Sequence, residues 1–217
     1  MSDVSTLTRQ ISRRRLRRYT FIGIAVIAVI GAMALDTKVV KIGSANDVQE
    51  QAFSPDTYGN KNFPDIKKDV ISRAVDAKTL AEAVLANQQE AAKKYGVGAP
   101  LPVLPVKLEG VVEQGQMGIY TLKVANMPQE IQVRMQTGPA ITGTDLRDAT
   151  GKIQFGDFTN QIEYQNAGSA INRAMKKAVL DKVDRDALPG KTVQVVGVFR
   201  LLNPKNWMVT PVSLEVK

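Results

Sequence analysis

A chain of 217 residues, 44% of them hydrophobic, is long enough for one or two domains with a real core. It contains no Cys and no His, which excludes disulfides, thiol nucleophiles, thiolate metal sites, His-based catalytic pairs and the usual zinc ligand. The net charge of +8 is concentrated at one end: Arg9, Arg13, Arg14, Arg15, Arg17 and Arg18 against Asp3 give +5, and only +3 remains beyond them. A basic arm on a nearly balanced body is not a nucleic-acid footprint, so no nucleic-acid partner is expected.

Tyr19 to Leu35 is uncharged and rich in Ile, Val and Ala. At about 1.5 Å per residue this run reaches the thin end of a bilayer core. The positive-inside rule makes residues 1–18 a cytoplasmic basic arm, 19–35 a transmembrane signal anchor, and places 36–217 across the membrane. Ala32-Met33-Ala34 also fits a small-x-small cleavage site, so a removed signal peptide is the rival reading. Both export the same domain.

Residues 36–104 read as a tether and helical subdomain. Gly43, Ser44, Pro55 and Gly59 break the first part. A helix then starts near Phe63-Pro64-Asp65 and carries Ile66, Val70, Ile71 and Ala74 on one face. A second is capped by Asp76, bears the stripe Leu80, Val84, Ala91 and Tyr95, and ends with Lys93-Lys94 before Gly96. Gly98 to Pro105 is a stiff extended connector.

From residue 105 to 217 the hydrophobic period is mostly two. Val106, Leu108, Gly110 and Val112 form one alternating face, Tyr120, Leu122 and Val124 a second, and Ile131, Val133 and Met135 a third. Gln161 to Val183 then reads as a helix striped by Ile162, Ala167, Ala170, Ile171, Ala174, Met175, Ala178 and Val179, with Asn160 or Thr159 as cap and Glu163 completing a capping box. Thr192 to Leu202 and Trp207 to Val216 are the last strands. Three strands, a helix and two strands is the order of the OB barrel, whose helix closes one end. The predicted fold is therefore α+β: a transmembrane helix, a helical subdomain, then a five-stranded OB-like antiparallel β-barrel with one long helix between strands three and four.

The crossover into that helix carries the densest mix of charge, amide and aromatic groups. Asp145, Arg147, Asp148, Phe155, Asp157, Phe158, Asn160, Gln161 and Tyr164 are the candidate binding residues, with Trp207 a further aromatic. Carboxylates and amides beside an aromatic platform suit a sugar, pairing hydroxyls while a ring covers C–H groups. The same residue types also build turns and caps: Thr144 and Asp145 close a turn, Asp148 to Gly151 form another, Asp157 or Thr159 caps the helix, and Arg147 pairs with an aspartate. No cofactor motif is present, and Asp145, Asp148 and Thr150-Gly151 lack EF-hand spacing. The wet faces of strands two and three show Thr121, Lys123, Gln132, Arg134 and Gln136 without a ring, which also argues against single-strand binding.

Thr137 to Ala149 and Phe155 to Tyr164, with Asn172, resemble the signature of a bacterial family of predicted periplasmic lipoproteins, domain of unknown function twenty-two ninety-one. The likeness continues to Ala74-Val75-Asp76, Lys94-Tyr95-Gly96 and Thr210 to Val216. It implies a periplasmic body on the inner membrane, and genes that often lie beside sugar-importing ABC transporters. A lipoprotein needs a lipidated Cys, which this chain lacks, so the apolar helix serves as anchor or the domain is released. The expectation is a single-pass, non-catalytic accessory protein that binds an ABC-type sugar importer or its binding protein. Direct sugar or small-ligand binding is the alternative, and a hydrolase using Asp148 and Asp157 as paired carboxylates is the third reading.

Overall fold

The computed structural model describes residues 4–36 and 53–217. The chain divides into two compact units between Ala52 and Phe53. Residues 37–52 of the expected tether, with Gly43 and Ser44, lie outside the described residues.

The first unit contributes helix α1, Val4–Asp36. Among the described residues no helix is long and apolar enough to cross a membrane, so the expected single-pass span is not supported. Length is the physical reason. Tyr19 to Leu35 is 17 residues, or about 25 Å of helix against a hydrocarbon core of about 30 Å.

The second unit is a mixed helix and sheet structure. After helix α2 (Pro55–Arg73) come strand β1 (Val75–Asp76), helices α3 (Ala77–Ala86) and α4 (Gln88–Tyr95), and strands β2 (Val103–Gln116), β3 (Ile119–Val124) and β4 (Gln132–Gln136). The crossover holds the short helix α5 (Asp145–Asp148) and a 3-10 turn at Phe155–Asp157 before helix α6 (Gln161–Met175). A π-helical segment, Lys176–Leu180, extends α6, and strands β5 (Thr192–Arg200) and β6 (Asn206–Val216) follow.

The helix boundaries differ from the sequence expectation for identifiable reasons. Pro55 occupies the first turn of α2, where its missing N–H costs nothing, so the helix starts well before Phe63 and contains Pro64. Burial of Phe63, Ile66 and Val70 outweighs the hydrogen bond lost at Pro64, while Ile71 is 45% exposed. Asp76 does cap α3, accepting from the amides of Lys78 and Thr79. Asn87 then interrupts the expected single helix: its extended backbone ends α3, and its side chain caps α4 through the amides of Gln89 and Glu90. The expected third helix stops at Met175 as regular α-helix and continues only as the wider π segment to Leu180, short of Val183.

The sheet has six strands in the order β1-β2-β3-β4-β6-β5, and β2 also pairs with β5. Two pairings are parallel rather than antiparallel, β1 with β2 and β4 with β6. A long crossover makes the second possible, because β4 and β6 are separated by α5, α6 and β5. The supposed connector contributes Val103, Leu104 and Pro105 to β2, opposite Arg200, Phe199 and Val198. Gly197 marks a register shift between β5 and β6, where a Cβ would lie 2.5 Å from the Thr210 carbonyl oxygen.

Two buried clusters follow from strand alternation. One face contributes Leu104, Val106, Leu122, Val133, Met135, Phe199 and Trp207 to a core joined by Leu80, Ala81 and Val84 of α3 and Ala91 of α4. Val103, Val198 and Val212 face the other way, against Phe63, Ile66 and Val70 of α2, Leu146 of α5, and Ile171 and Met175 of α6. Helix α6 thus shares a core with α2 and is not part of the first cluster. Ile162 and Ala178, expected on its stripe, are exposed.

Helices α2 and α6 approach closely at Gly59, which is not a breaker: a Cβ there would lie 2.4 Å from the Ala170 carbonyl oxygen. Gly→Ala inside an ordinary helix stabilises by about 1 kcal/mol. Here Gly59→Ala is predicted to destabilise by about 1–3 kcal/mol, because backbone rather than a flexible side chain must move. Urea unfolding of the full chain measures the sign.

Candidate functional site

The crossover is set by what precedes it. Asn172, 5% exposed on α6, donates from Nδ2 to the carbonyls of Ile141 and Gly143, fixing the approach to α5. Gln136 is buried, not wet as expected, because its amide is consumed locally: Nε2 donates to the Thr210 hydroxyl and the Thr142 carbonyl, and Oε1 accepts from the Thr142 amide.

One helical turn then sorts the functional groups. Leu146 is 0% exposed in the core beneath. Asp145 and Asp148, three apart, share a face. That face meets Arg200, the last residue of β5. Arg200 Nε donates to Asp145 Oδ1 at 2.9 Å, and Nη2 donates to Asp148 Oδ2 at 2.6 Å and to Thr144 Oγ1 at 3.3 Å. Its Nη1 donates to the Leu101 carbonyl at 3.0 Å. The Thr144 hydroxyl donates to Asp148 Oδ2 at 2.8 Å.

Arg147 points elsewhere and is 7% exposed. Its Nε donates to Asp148 Oδ1 at 2.7 Å, Nη1 donates to the Tyr164 carbonyl at 3.2 Å, and the guanidinium carbon lies 3.6 Å from the Tyr164 ring centroid. Stacking and pairing together let a full positive charge sit in the interior. Tyr164 is also packed edgewise by Phe155 at 5.7 Å and tilted against Phe158 at 5.4 Å, and Phe158 contacts Tyr58 and Phe53 in turn.

The electrostatics separate the two aspartates. Burial pushes the Asp145 carboxyl above its ordinary value; Arg200 opposes this, and the Asp148 charge adds to it. Burial also works against ionisation of Asp148, but hydrogen bonds from Arg147, Thr144 and Arg200 outweigh it and hold that carboxyl below its ordinary value. Arg200 is itself held more firmly protonated: its burial opposes the charge, and the two carboxylates overcome that. The Tyr58 hydroxyl is raised, chiefly by burial and then by the Asp157 carboxylate.

The structure therefore brings together Asp145, Arg147, Asp148 and Tyr164, with Phe155 and Phe158 around the ring. It does not bring Asp157, Asn160 or Gln161 into the charged network. Asp157 accepts from the Gln154 amide and closes the 3-10 turn, whereas Asn160 caps α6 by accepting from the Glu163 amide. Glu163 reaches back to the Thr159 amide, a variant of the expected capping box, and Gln161 is exposed. Trp207 belongs to the first core, 0% exposed and stacked on Phe199 at 4.4 Å, with its indole N–H donating to the Pro204 carbonyl.

Arg200 is the residue that sequence reasoning missed. Its signal was its register: it lies on the β5 face opposite Phe199 and Leu201, the face shared with buried Val198. A cavity of about 330 Å3 opens beside the network, lined by Val97, Pro100, Leu101, Ile153, Tyr164 and Arg200 among others. Among the described residues no cluster of three or more acidic side chains is arranged to hold a metal.

Two carboxylates and two guanidiniums balance in formal charge, and both Asp148 oxygens already accept hydrogen bonds. Arg200→Met is predicted to destabilise the fold by about 3 kcal/mol, the lower end for breaking a buried pair because the side chain remains 22% exposed. A pH effect follows from Asp148. Its lowered carboxyl contributes stability that is complete above the unfolded aspartate value of about 3.9 and is lost as pH falls through the lower folded value. Asp145, raised, has the opposite sign and favours the fold as it protonates. Asp148→Asn should therefore flatten the acid limb of the stability profile, whereas Asp145→Asn should steepen it, as read by denaturation at stepped pH.

No curated protein matches the chain. A crystal structure of an OB-fold protein from Thermotoga maritima is similar, with a TM-score of 0.62 at 19% identity over 77% of this chain and 100% of that one. At that identity the likeness concerns the fold alone. The signature residues noted in the crossover lie within residues 24–215, which match the model of the predicted periplasmic lipoproteins, DUF2291. The chain belongs to that family of predicted periplasmic lipoproteins.

Proposed function

We propose that this protein is a membrane-attached, non-catalytic periplasmic accessory protein that docks a component of an ABC-type sugar importer or its binding protein. One observation carries the reading. The ionised groups of α5 are engaged in internal pairs, while the same crossover exposes Phe155 (52%) and Ile162 (69%). Exposed apolar side chains rimmed by Asp157 and Gln161 suit protein recognition better than chemistry. The apolar run of α1, with Phe21 72% and Ile27 71% exposed, supports attachment to a membrane. The choice of a sugar importer rests on the gene neighbourhood that the family resemblance implies.

Direct binding of a small polar ligand is the second reading, favoured by the 330 Å3 cavity beside Tyr164 and Arg200. Acid–base work by Asp148 and Asp157 is weaker. The first carboxylate is held ionised between two arginines, and the second accepts from the Gln154 amide.

A photo-cross-linking amino acid placed at Phe155 or Ile162 in the full chain in cells should capture importer subunits, whereas one at Met117 in the β2–β3 turn should not. Capture of none from either crossover position contradicts the docking reading. A thermal-shift series with pentoses, hexoses and polyols separates the second reading, which requires a saturable rise in melting temperature that Tyr164→Ala abolishes.

A further inference from the structure

A second cavity lies away from the crossover. It has a volume of about 500 Å3 and lies among Lys67 of α2, the π segment at Ala178 and Val179, the 182–191 loop, and Ser213 to Val216 of β6. That size suits a small organic ligand. Its floor is apolar, from Val179, Leu188 and Leu214, and its wall carries three lysines, Lys67, Lys182 and Lys191.

Half of the twelve other described lysines of the second unit are paired. Lys78, Lys93, Lys152, Lys176, Lys205 and Lys217 each lie within 4.0 Å of a carboxylate. Lys67, Lys182 and Lys191, like Lys61, Lys68, Lys94, Lys107, Lys123 and Lys177, have no such partner among the described residues, but these three share one cavity, which Asp184 and Glu215 also line. Lys67 is moreover only partly exposed. Lys182 and Lys191 are exposed, whereas holding Lys67 half-buried without a partner costs stability. A neighbouring helix end explains Lys182, since cations are favoured at a helix C-terminus. It does not explain Lys67 and Lys191, which come from other elements. The π segment in the wall is a second irregularity, of a kind found often where helices form binding sites.

We propose that this cavity binds a phosphate-bearing ligand, with the lysines pairing the phosphate, the Ser213 hydroxyl donating to it, and the apolar floor covering the attached carbon skeleton. Three lysines against two acids leave a net positive wall, so a neutral sugar gains nothing from it. The phosphate belongs either to a free phosphorylated small molecule or to an anionic lipid headgroup. Lysine recognises both as a point charge.

The test is isothermal titration of the full chain in a neutral detergent, with inorganic phosphate in one arm and dihexanoyl phosphatidylglycerol in the other. Saturable heat with phosphate identifies the free-ligand source; heat with the lipid alone identifies the headgroup. In either case Lys67→Gln, Lys182→Gln and Lys191→Gln combined should weaken binding at least about tenfold, while Lys78→Gln, Lys93→Gln and Lys94→Gln, removing equal charge from α3 and α4, should leave it unchanged. The melting temperature of the first variant should not fall, since no ion pair is lost, and Lys67→Gln alone provides the same comparison with least perturbation. Absence of saturable heat in both arms, or equal weakening by both triple variants, overturns the proposal.

Discussion

The crossover hangs on Arg200. A strand end and a single helical turn have little apolar surface to share, and Leu146 is the one residue of α5 that reaches deep into the core. What aligns α5 with the sheet is the fork of a guanidinium, which meets Asp145 through Nε and Asp148 through Nη2. The fork also reaches the Leu101 carbonyl, tying the entrance of β2 to the exit of β5. A lysine in this position keeps the charge and loses the geometry, because its ammonium cannot span two carboxylates in a plane. Arg147 completes the arrangement from below, so that Asp148 is shared between two cations and stays ionised despite burial.

Around that joint the two cores divide the work. The cluster centred on Phe199 and Trp207 holds the strands, with α3 and α4 contributing Leu80, Val84 and Ala91. The second cluster lets α2 and α6 pack together over Val103, Val198 and Val212, and their close approach at Gly59 brings α2 within reach of the crossover. This is why Tyr58 and Phe53 of the α2 end join the aromatic chain through Phe158 to Tyr164. Helices α2 and α6 thus cover one face of the strands near the joint.

Much of this was legible in the sequence because strand alternation is a local signal. The faces built by Val106, Leu122, Val133 and Met135 are read directly from period two, and the Asn160 and Asp76 caps from residue type. The helices were harder. Pro64 looks like a helix start and Gly59 like a breaker until tertiary packing overrides both, and Asn87 gives no sign that its cap will cut a regular apolar stripe. Parallel pairing of β4 with β6 is a non-local fact that no window of residues contains. Within the site, Asp145, Arg147, Asp148 and Tyr164 stood out by composition, but Arg200 lies more than fifty residues beyond α5 and Trp207 was drawn in only by its chemistry. The aromatic that matters at the site is Tyr164, reached through one helix cap, while Trp207 is spent on the strand core.

Arg147 and Arg200 against Asp145 and Asp148 make the crossover a charge-balanced joint. A double-mutant cycle between Arg200→Met and Asp148→Asn in the full chain tests that claim most directly. Direct pairing predicts that the double variant is less destabilised than the sum of the singles by about 1.5–3 kcal/mol, since either single change already removes the shared Arg200–Asp148 pair. Additivity within about 0.5 kcal/mol contradicts it, and would mean that the two side chains are neighbours without holding the joint together.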